Sequence, residues 1–321
     1  MVVAVTGANG FVGGRILADL RGHGIAAYGL VRSGRTLEQP EWTKRDLAEW
    51  TEAALREALD GANAIVHAAS IVHRPGAAAS EHRAFNVEGT RSLLAAARSC
   101  GVRRIVFLST IKVYGEEPIG VIDESTPVDR ASPYASTKLE AEQVVLEAEG
   151  AGGPSAVVLR LCPVYGAGDK GNVRRVAMAI ARRRFLVPGD GSTRKSVVHA
   201  ATVAEAVRKA LKSDVRGVFV VSDRVAPSIR ELANTIAEAL DRRAPLSVPI
   251  ALVLAAAAAL EAVARVRGRE PGVSRELVRK SLRSTICSPG KVERALDLQC
   301  HVDLRDGVAE EMAWLRGEGL L

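Results

Sequence analysis

Aromatic residues are scarce in this 321-residue chain: five Phe, four Tyr and three Trp make up 4% of it. A core with so few rings must rest on Val, Leu, Ile and Ala. The scarcity also argues against stacking platforms for single-stranded nucleic acid, because no aromatics are interleaved with the basic residues. Cysteine is equally sparse. Cys100, Cys162, Cys287 and Cys300 form no CxxC pair and have no histidine at metal-ligand spacing, which excludes a zinc site of the usual pattern. They read as reduced, mostly buried thiols of a cytoplasmic protein. Long apolar runs are missing too. The most apolar stretch, Ile250–Val263, is interrupted by Glu261 and is shorter than a bilayer crossing requires. It reads as a buried helix, with a dimer contact or a membrane-surface contact as alternatives. No membrane span is expected. No leader is expected either, because the first motif already begins at residue 6.

Basic residues outnumber acidic ones by 44 to 37, giving a formal charge of +7. The surplus sits in short clusters such as Arg182-Arg183-Arg184 rather than in a tail. Such clusters make either a solvated face or a pocket for an anionic ligand. The chain is long enough for one large domain and a smaller lobe.

Short runs of Val, Ile and Ala alternate with helical patterns. VVAVT (2–6), AAYGLV (26–31), AIVHAA (64–69), RIVFLS (104–109) and SAVVLRL (155–161) are nearly continuously apolar, as strands covered on both faces must be. Helical stretches at 11–22, 51–60, 81–99 and 134–149 lie between them. This alternation predicts an α/β fold with right-handed crossovers and a Rossmann-type, doubly wound parallel sheet. Residues 1–168 form the dinucleotide domain in this reading. GVFVVSD near 220 returns to the sheet, within a segment of about 196–225. Residues 169–321, with helical patterns at 172–184, 228–240, 250–265, 274–283 and 306–316, mainly build a smaller, mostly helical substrate lobe.

The stretch TGANGFVGGRI (6–16) follows the first strand and opens a helix. Gly7 permits the tight turn, Gly10 lets backbone approach a pyrophosphate, and Gly13 lets helix and strand pack closely. The helix start offers free N–H groups to the anion, with Asn9, Phe11 and Val12 lining the same turn. The end of the second strand selects the dinucleotide. An acidic residue there would bind the ribose 2′-hydroxyl of NAD(H). Here Arg32 stands instead, beside Ser33 and close to Arg35, and arginine suits a 2′-phosphate. NADP(H) is therefore favoured, with NAD(H) possible.

SPYASTK (132–138) carries the chemistry. Tyr134 and Lys138 are four apart and share one helix face. Ser132 is a plausible N-cap and Pro133 fits the first helical position. A nearby ammonium favours the phenolate and is expected to lower the tyrosine pKa, so that Tyr134 can exchange a proton with an alcohol or ketone. Ser109 and Thr110 bring hydroxyls to the end of the strand before it.

These residues, with RDL (45–47), HAAS (67–70), NVEGT (86–90), LSTIKVYGE (108–116), LRLCPVYGAGD (159–169) and SVVHAATVAEAV (196–207), resemble an extended short-chain dehydrogenase/reductase of the NAD-dependent epimerase/dehydratase family. The likeness covers roughly residues 1–225. It implies hydride transfer at nicotinamide C4, with Tyr134 as acid/base and Lys138 lowering its pKa and holding the nicotinamide ribose. It places Thr110, four before Tyr114, at the Ser/Thr position against substrate. Asp46 and Leu47 would meet the adenine, Ala68 and Ala69 would line the cofactor, and Asn86 would stand beside the strand. Ser109 and Pro163 complete the cofactor cleft. Pro163 departs from the asparagine often found there, and Arg32 from the usual acid. Arg194 and Lys195 stand near the family's diphosphate-binding arginine, with Asn172, Arg174 and Arg175 as further candidates. A homodimer through helices near 90 and 140 is implied as well.

The expected reaction is a NAD(P)-dependent oxidoreduction at a sugar carbon, C4, of a nucleotide-diphosphate sugar. A 4-keto reductase is favoured over a 4-epimerase, because STIKVYGE resembles reductases of 4-keto-6-deoxy nucleotide sugars in surface-polysaccharide pathways and Arg32 suits NADPH. Ile111, where dehydratases carry an acid, argues against dehydration. The alternative is a hydroxysteroid- or dihydroflavonol-type enzyme on a hydrophobic substrate. A non-catalytic cofactor sensor would have lost the Tyr134/Lys138 pair.

Overall fold

The computed structural model describes residues 1–32, 44–47, 49–71, 79–115, 120–130, 132–266 and 274–321. Seven strands form its main sheet: β1 (Val2–Thr6), β2 (Ala26–Arg32), β3 (Lys44–Leu47), β4 (Ala64–His67), β5 (Arg104–Thr110), β6 (Ser155–Leu161) and β7 (Gly217–Val221). Their order is β7-β6-β5-β4-β1-β2-β3, and all six pairings are parallel. The apolar strands β1, β4, β5 and β6 are buried almost throughout, because helices cover both faces. One face packs Ile16, Leu17 and Leu20 with Val203 and Val207. The other packs Leu55, Leu93 and Leu94 with Val144 and Val145. The strand order reverses between β1 and β4, and that reversal opens a crevice at their carboxyl ends.

A third apolar cluster lies under the later helices and joins Tyr165, Val173, Ile180, Ile236, Met312 and Leu315. Three two-residue ladders stitch this part to the rest, among them Val198–His199 on Val164–Tyr165 and Ser247–Val248 on Val187–Pro188.

Two expectations change, and one strand is added. The polar segment Lys44–Leu47 is a strand at the sheet edge, where charged residues are common because one side faces water. The helix expected over 81–99 divides into Ala79–Arg83, a π-helical turn at Ala84–Glu88, and Gly89–Ser99. The apolar helix Ile250–Val266 is not buried. Among its described side chains only Ala257 is fully covered, while Leu252 is 60% exposed.

The first turn is as tight as the glycines imply. A Cβ on Gly13 would lie 2.2 Å from the Gly7 carbonyl oxygen, and one on Gly7 would lie 2.9 Å from the Ala69 nitrogen. Gly22, at the end of the same helix, has nothing within 4 Å of a Cβ. Gly13→Ala is therefore expected to cost roughly 1–3 kcal/mol by overpacking, whereas Gly22→Ala should be neutral or gain up to about 1 kcal/mol. Urea denaturation of the two variants checks this, and equal effects would refute it.

Candidate active site

The helix Phe11–Gly22 begins at Gly10, and no side chain caps it. Its first-turn N–H groups are left to meet an anion. Gly7 holds φ +69°, a conformation that favours glycine, and its backbone lies against Ala68 and Ala69. Ala69 N donates to Thr6 Oγ1 at 3.1 Å. The ends of β1 and β4 thus form a narrow backbone cradle that any added Cβ would fill, which fits a dinucleotide pyrophosphate. Arg32, Asp46 and Leu47 come together at the ends of β2 and β3, with Arg32 paired to Leu47 and Val31 to Asp46. Their side chains, like Ser33 and Arg35, lie outside the described residues.

Behind the cradle runs a chain of polar groups. Thr90 Oγ1 donates to Asn86 O at 2.6 Å, so it accepts from His67 Nε2 at 3.1 Å. His67 Nδ1 then takes the Thr6 hydroxyl proton at 2.8 Å. Burial and the nearby Lys138 charge hold His67 down at about 3, so it stays neutral. Asn86 lies within the π-helical turn. Its Oδ1 accepts from Ser70 Oγ at 3.1 Å and from Ile71 N at 2.9 Å, and its Nδ2 donates to Thr137 Oγ1 at 3.2 Å. With its amide engaged by protein partners, Asn86 acts on the site through Ser70 and Thr137.

The helix Pro133–Gly150 starts as its sequence indicates. Ser132 Oγ accepts from Ala135 N at 3.2 Å, and Pro133 occupies the first turn. Tyr134, Lys138 and Glu142 follow one another along one face. The Tyr134 hydroxyl is hydrogen-bonded to Ser70. Because Ser70 gives its proton to Asn86, it is left to accept from Tyr134. Lys138 Nζ donates to Leu108 O at 2.6 Å and lies 4.0 Å from the centre of the Phe107 ring. That contact docks the helix on β5, two residues before Thr110. Thr110, half-buried at the strand end, accepts from Lys112 N at 3.3 Å. Ser109 is turned the other way, and its hydroxyl donates to Glu142.

The expected electrostatics are reversed. Burial drives Tyr134 up to about 12. Burial also pulls Lys138 down to about 7, against the pull of Glu142. Desolvation penalises whichever form carries charge, so both groups are biased toward neutrality, and Lys138 does not depress Tyr134.

Beneath them Glu142, 1% exposed, receives Arg160 through Nε at 3.1 Å and Nη2 at 2.6 Å. Arg160 Nη1 also donates to the Tyr114 hydroxyl at 2.8 Å. Ser70, Glu142 and Arg160 escaped the sequence reading. Ser70 directly follows Ala69, and Glu142 stands four beyond Lys138, so position signalled both. Arg160, inside an apolar strand, gave no such signal.

The substrate-side candidates divide. Pro163 is exposed, and its carbonyl accepts from Val198 N at 3.0 Å. Arg194 Nη1 donates to Ala226 O at 2.8 Å and lies 3.8 Å from Glu231. Lys195 Nζ donates to Arg283 O. Both charged ends are used in tying the lobe together. Asn172 opens the helix Asn172–Ala181, which carries a groove of about 400 Å³ lined by Lys170, Arg174, Arg175, Met178, Arg182 and Arg184.

Cradle, crevice and tyrosine helix define a dinucleotide-dependent oxidoreductase of the extended short-chain dehydrogenase/reductase class. The comparisons agree. The chain belongs to the NAD dependent epimerase/dehydratase family, whose model matches residues 3–222. It is 31% identical over 261 residues to a 4-hydroxy-2-methyl-3-oxo-4-farnesyl-3,4-dihydroquinoline-1-oxide ketoreductase of Stigmatella aurantiaca, covering 79% of this chain and 78% of that protein. It is 27% identical over 298 residues to the N-acetyl-alpha-D-glucosaminyl-diphospho-ditrans,octacis-undecaprenol 4-epimerase of Escherichia coli O157:H7, covering 90% and 88%. Among solved structures, MoeE5 in complex with UDP-glucose and NAD matches with a TM-score of 0.77 and 26% identity over 99% of each chain.

Lys138 gives a stability prediction. Its proton affinity drops from 10.5 in the open chain to about 7 in the fold. Between those values the unfolded state binds more protons, so this group makes stability rise with pH across that window. Lys138→Met removes the effect. Relative to the wild type, its melting temperature should be highest near pH 7 and fall by on the order of 5 °C as pH rises toward about 10, where the lost bond to Leu108 O is left as a net cost. A gap that does not vary with pH, by scanning calorimetry, would refute the assignment.

Proposed function

We propose that the protein is an NADPH-dependent ketoreductase acting at C4 of a nucleotide-diphosphate sugar, with residues 169–321 as its substrate lobe. The observation that carries this reading is the Tyr134 hydroxyl, hydrogen-bonded to Ser70 on a helix that Lys138 docks against β5, with burial raising its pKa. At neutral pH it is a filled proton donor. Returning a hydride to a ketone needs such a donor, and Arg32, in place of an acid at the end of β2, favours NADPH and with it a net reduction over an epimerisation.

The bound cofactor supplies the hydride. The uncapped turn at Gly10–Gly13 holds its pyrophosphate, and Arg32 at the end of β2 suits a 2′-phosphate. Thr110 holds the substrate carbonyl oxygen at the end of β5, and Tyr134 gives that oxygen its proton. Asn86 fixes Ser70, and Ser70 fixes the direction of the Tyr134 hydroxyl. Lys138 keeps the helix against Leu108 and stands one turn from the phenolate left after proton transfer. The substrate diphosphate is assigned to Lys170, Arg174 and Arg175 in the groove, because Arg194 and Lys195 are engaged with backbone carbonyls.

A second reading, a ketone on a hydrophobic substrate, is favoured by the similarity to the ketoreductase of a farnesylated quinoline oxide. It uses the same proton donor without the groove.

Tyr134→Phe should lower kcat with NADPH by roughly 10² or more while leaving NADPH affinity unchanged. The wild-type reduction should keep its rate up to about pH 10, since the donor titrates above that. Near-normal turnover in the variant removes Tyr134 from the mechanism.

Free UDP or TDP should compete with substrate, and rising salt should weaken that competition. Arg174→Ala should raise KM more than it lowers kcat, as expected for a contact made alike in ground and transition states. Turnover of a long-chain or polycyclic ketone, with no nucleoside diphosphate binding at low salt, would establish the second reading instead.

A further inference from the structure

A surface helix of a globular protein normally buries one apolar stripe and shows water a polar face. The helix Ile250–Val266 does the reverse. From Ile250 to Leu260 it carries no charged or polar side chain. Ile250, Leu252, Leu260 and Val263 are 41%, 60%, 51% and 47% exposed. Leu252, Ala255, Ala256, Ala259 and Val263 recur at helical spacing as one exposed stripe. Glu261 is turned aside to Arg275, at 2.9 Å. Among the described residues no helix is long and apolar enough to cross a membrane. At about 25 Å this one has the length to lie along a surface.

The charge around it identifies the surface. Two short paired strands lead to the helix, with Val187 opposite Ser247 and Pro188 opposite Val248. Exposed Leu186 heads one and exposed Leu246 heads the other, at 54% and 74%. Arg182, Arg183 and Arg184 precede the first leucine, and Arg242 and Arg243 the second, all exposed. At the far end of the ladder a Cβ on Gly189 would lie 3.0 Å from the Ile250 side chain. Asp190 and Asp241 are the acidic residues of these loops, so positive charge dominates. Five arginines, two protruding leucines and an uncovered apolar helix therefore share one edge of the lobe.

We infer that this edge docks on a bilayer bearing acidic headgroups, with the apolar stripe entering the headgroup layer and the arginines facing lipid phosphates. A second copy of the chain would bring the same five positive charges against themselves, whereas an anionic bilayer complements them. Interfacial helices combine apolar burial with attraction to anionic lipid in this manner. Arg182 and Arg184 also line the groove given above to the substrate diphosphate, whereas Arg242, Arg243 and the apolar helix belong to this edge alone, and the variants below are confined to those.

The test is flotation of the full-length protein with phosphatidylcholine vesicles, with and without about 30% phosphatidylglycerol. Partitioning onto acidic vesicles should be at least about fivefold stronger and should fall as salt rises. Leu252→Glu/Leu260→Glu should weaken partitioning at least about tenfold. Arg242→Glu/Arg243→Glu should abolish the preference for acidic lipid. All four positions are exposed, so circular dichroism and melting temperature should match the wild type. Should the glutamates unfold the helix, Leu252→Ser/Leu260→Ser replaces them. Failure of the wild type to float with acidic vesicles overturns the inference, as does unchanged binding by both variants. A wild-type dimer that the leucine variant splits, without vesicle binding, assigns the edge to self-association and overturns it equally.

Discussion

Glu142 sits under the carboxyl ends of β5 and β6 with almost no access to water, and it binds three elements at once. It takes three hydrogen bonds from Arg160 on β6, two of them shared by Nε, and one from Ser109 on β5, and it belongs to the helix that carries Tyr134 and Lys138. A buried carboxylate is tolerable only when such partners replace its water. The geometry is therefore over-determined. The helix cannot slide along the sheet without leaving the carboxylate or the guanidinium unpaired, and Tyr134 keeps its place because that slide is forbidden. Arg160 extends the constraint to Tyr114, closing the loop after β5 over the same pair.

The second fixed point is the contact of Gly13 with Gly7, which brings an uncapped helix start to the end of β1. Between the two anchors lies the crevice. His67, Thr90, Asn86 and Ser70 link one anchor to the other by neutral hydrogen bonds. The Tyr134 hydroxyl is thus oriented from the β4 side as well as from its own helix. The π-helical turn at 84–88 places Asn86 where it reaches both Ser70 and Thr137, a use of irregular helix that recurs at functional sites.

Part of this was legible in the residues. The five apolar runs all proved to be strands, and the start of the tyrosine helix followed from Ser132 and Pro133. The edge strand Lys44–Leu47 was not legible, because its polar residues give no apolar period. Arg194 and Lys195 show the limit at the site. Their charge suggested a diphosphate, but the fold supplies Ala226 and Arg283 carbonyls within reach, and a cation already engaged is less available to a ligand. The helix Ile250–Val266 shows the limit in the core. Its composition implies burial, yet composition alone does not say which neighbours exist to cover it.

The order of the apolar runs, the glycine spacing and the tyrosine–lysine pair were determined by the sequence alone, because each depends on local geometry: period, turn and cap. Proton affinity was decided only by tertiary structure. A lysine one turn away predicts a lowered tyrosine, but the assembled fold buries both groups, and desolvation is the largest influence on each. The partners of Glu142 were decided in the same way. Arg160 and Ser109 lie eighteen and thirty-three residues from it, and only the stacking of helix on sheet brings them to one carboxylate.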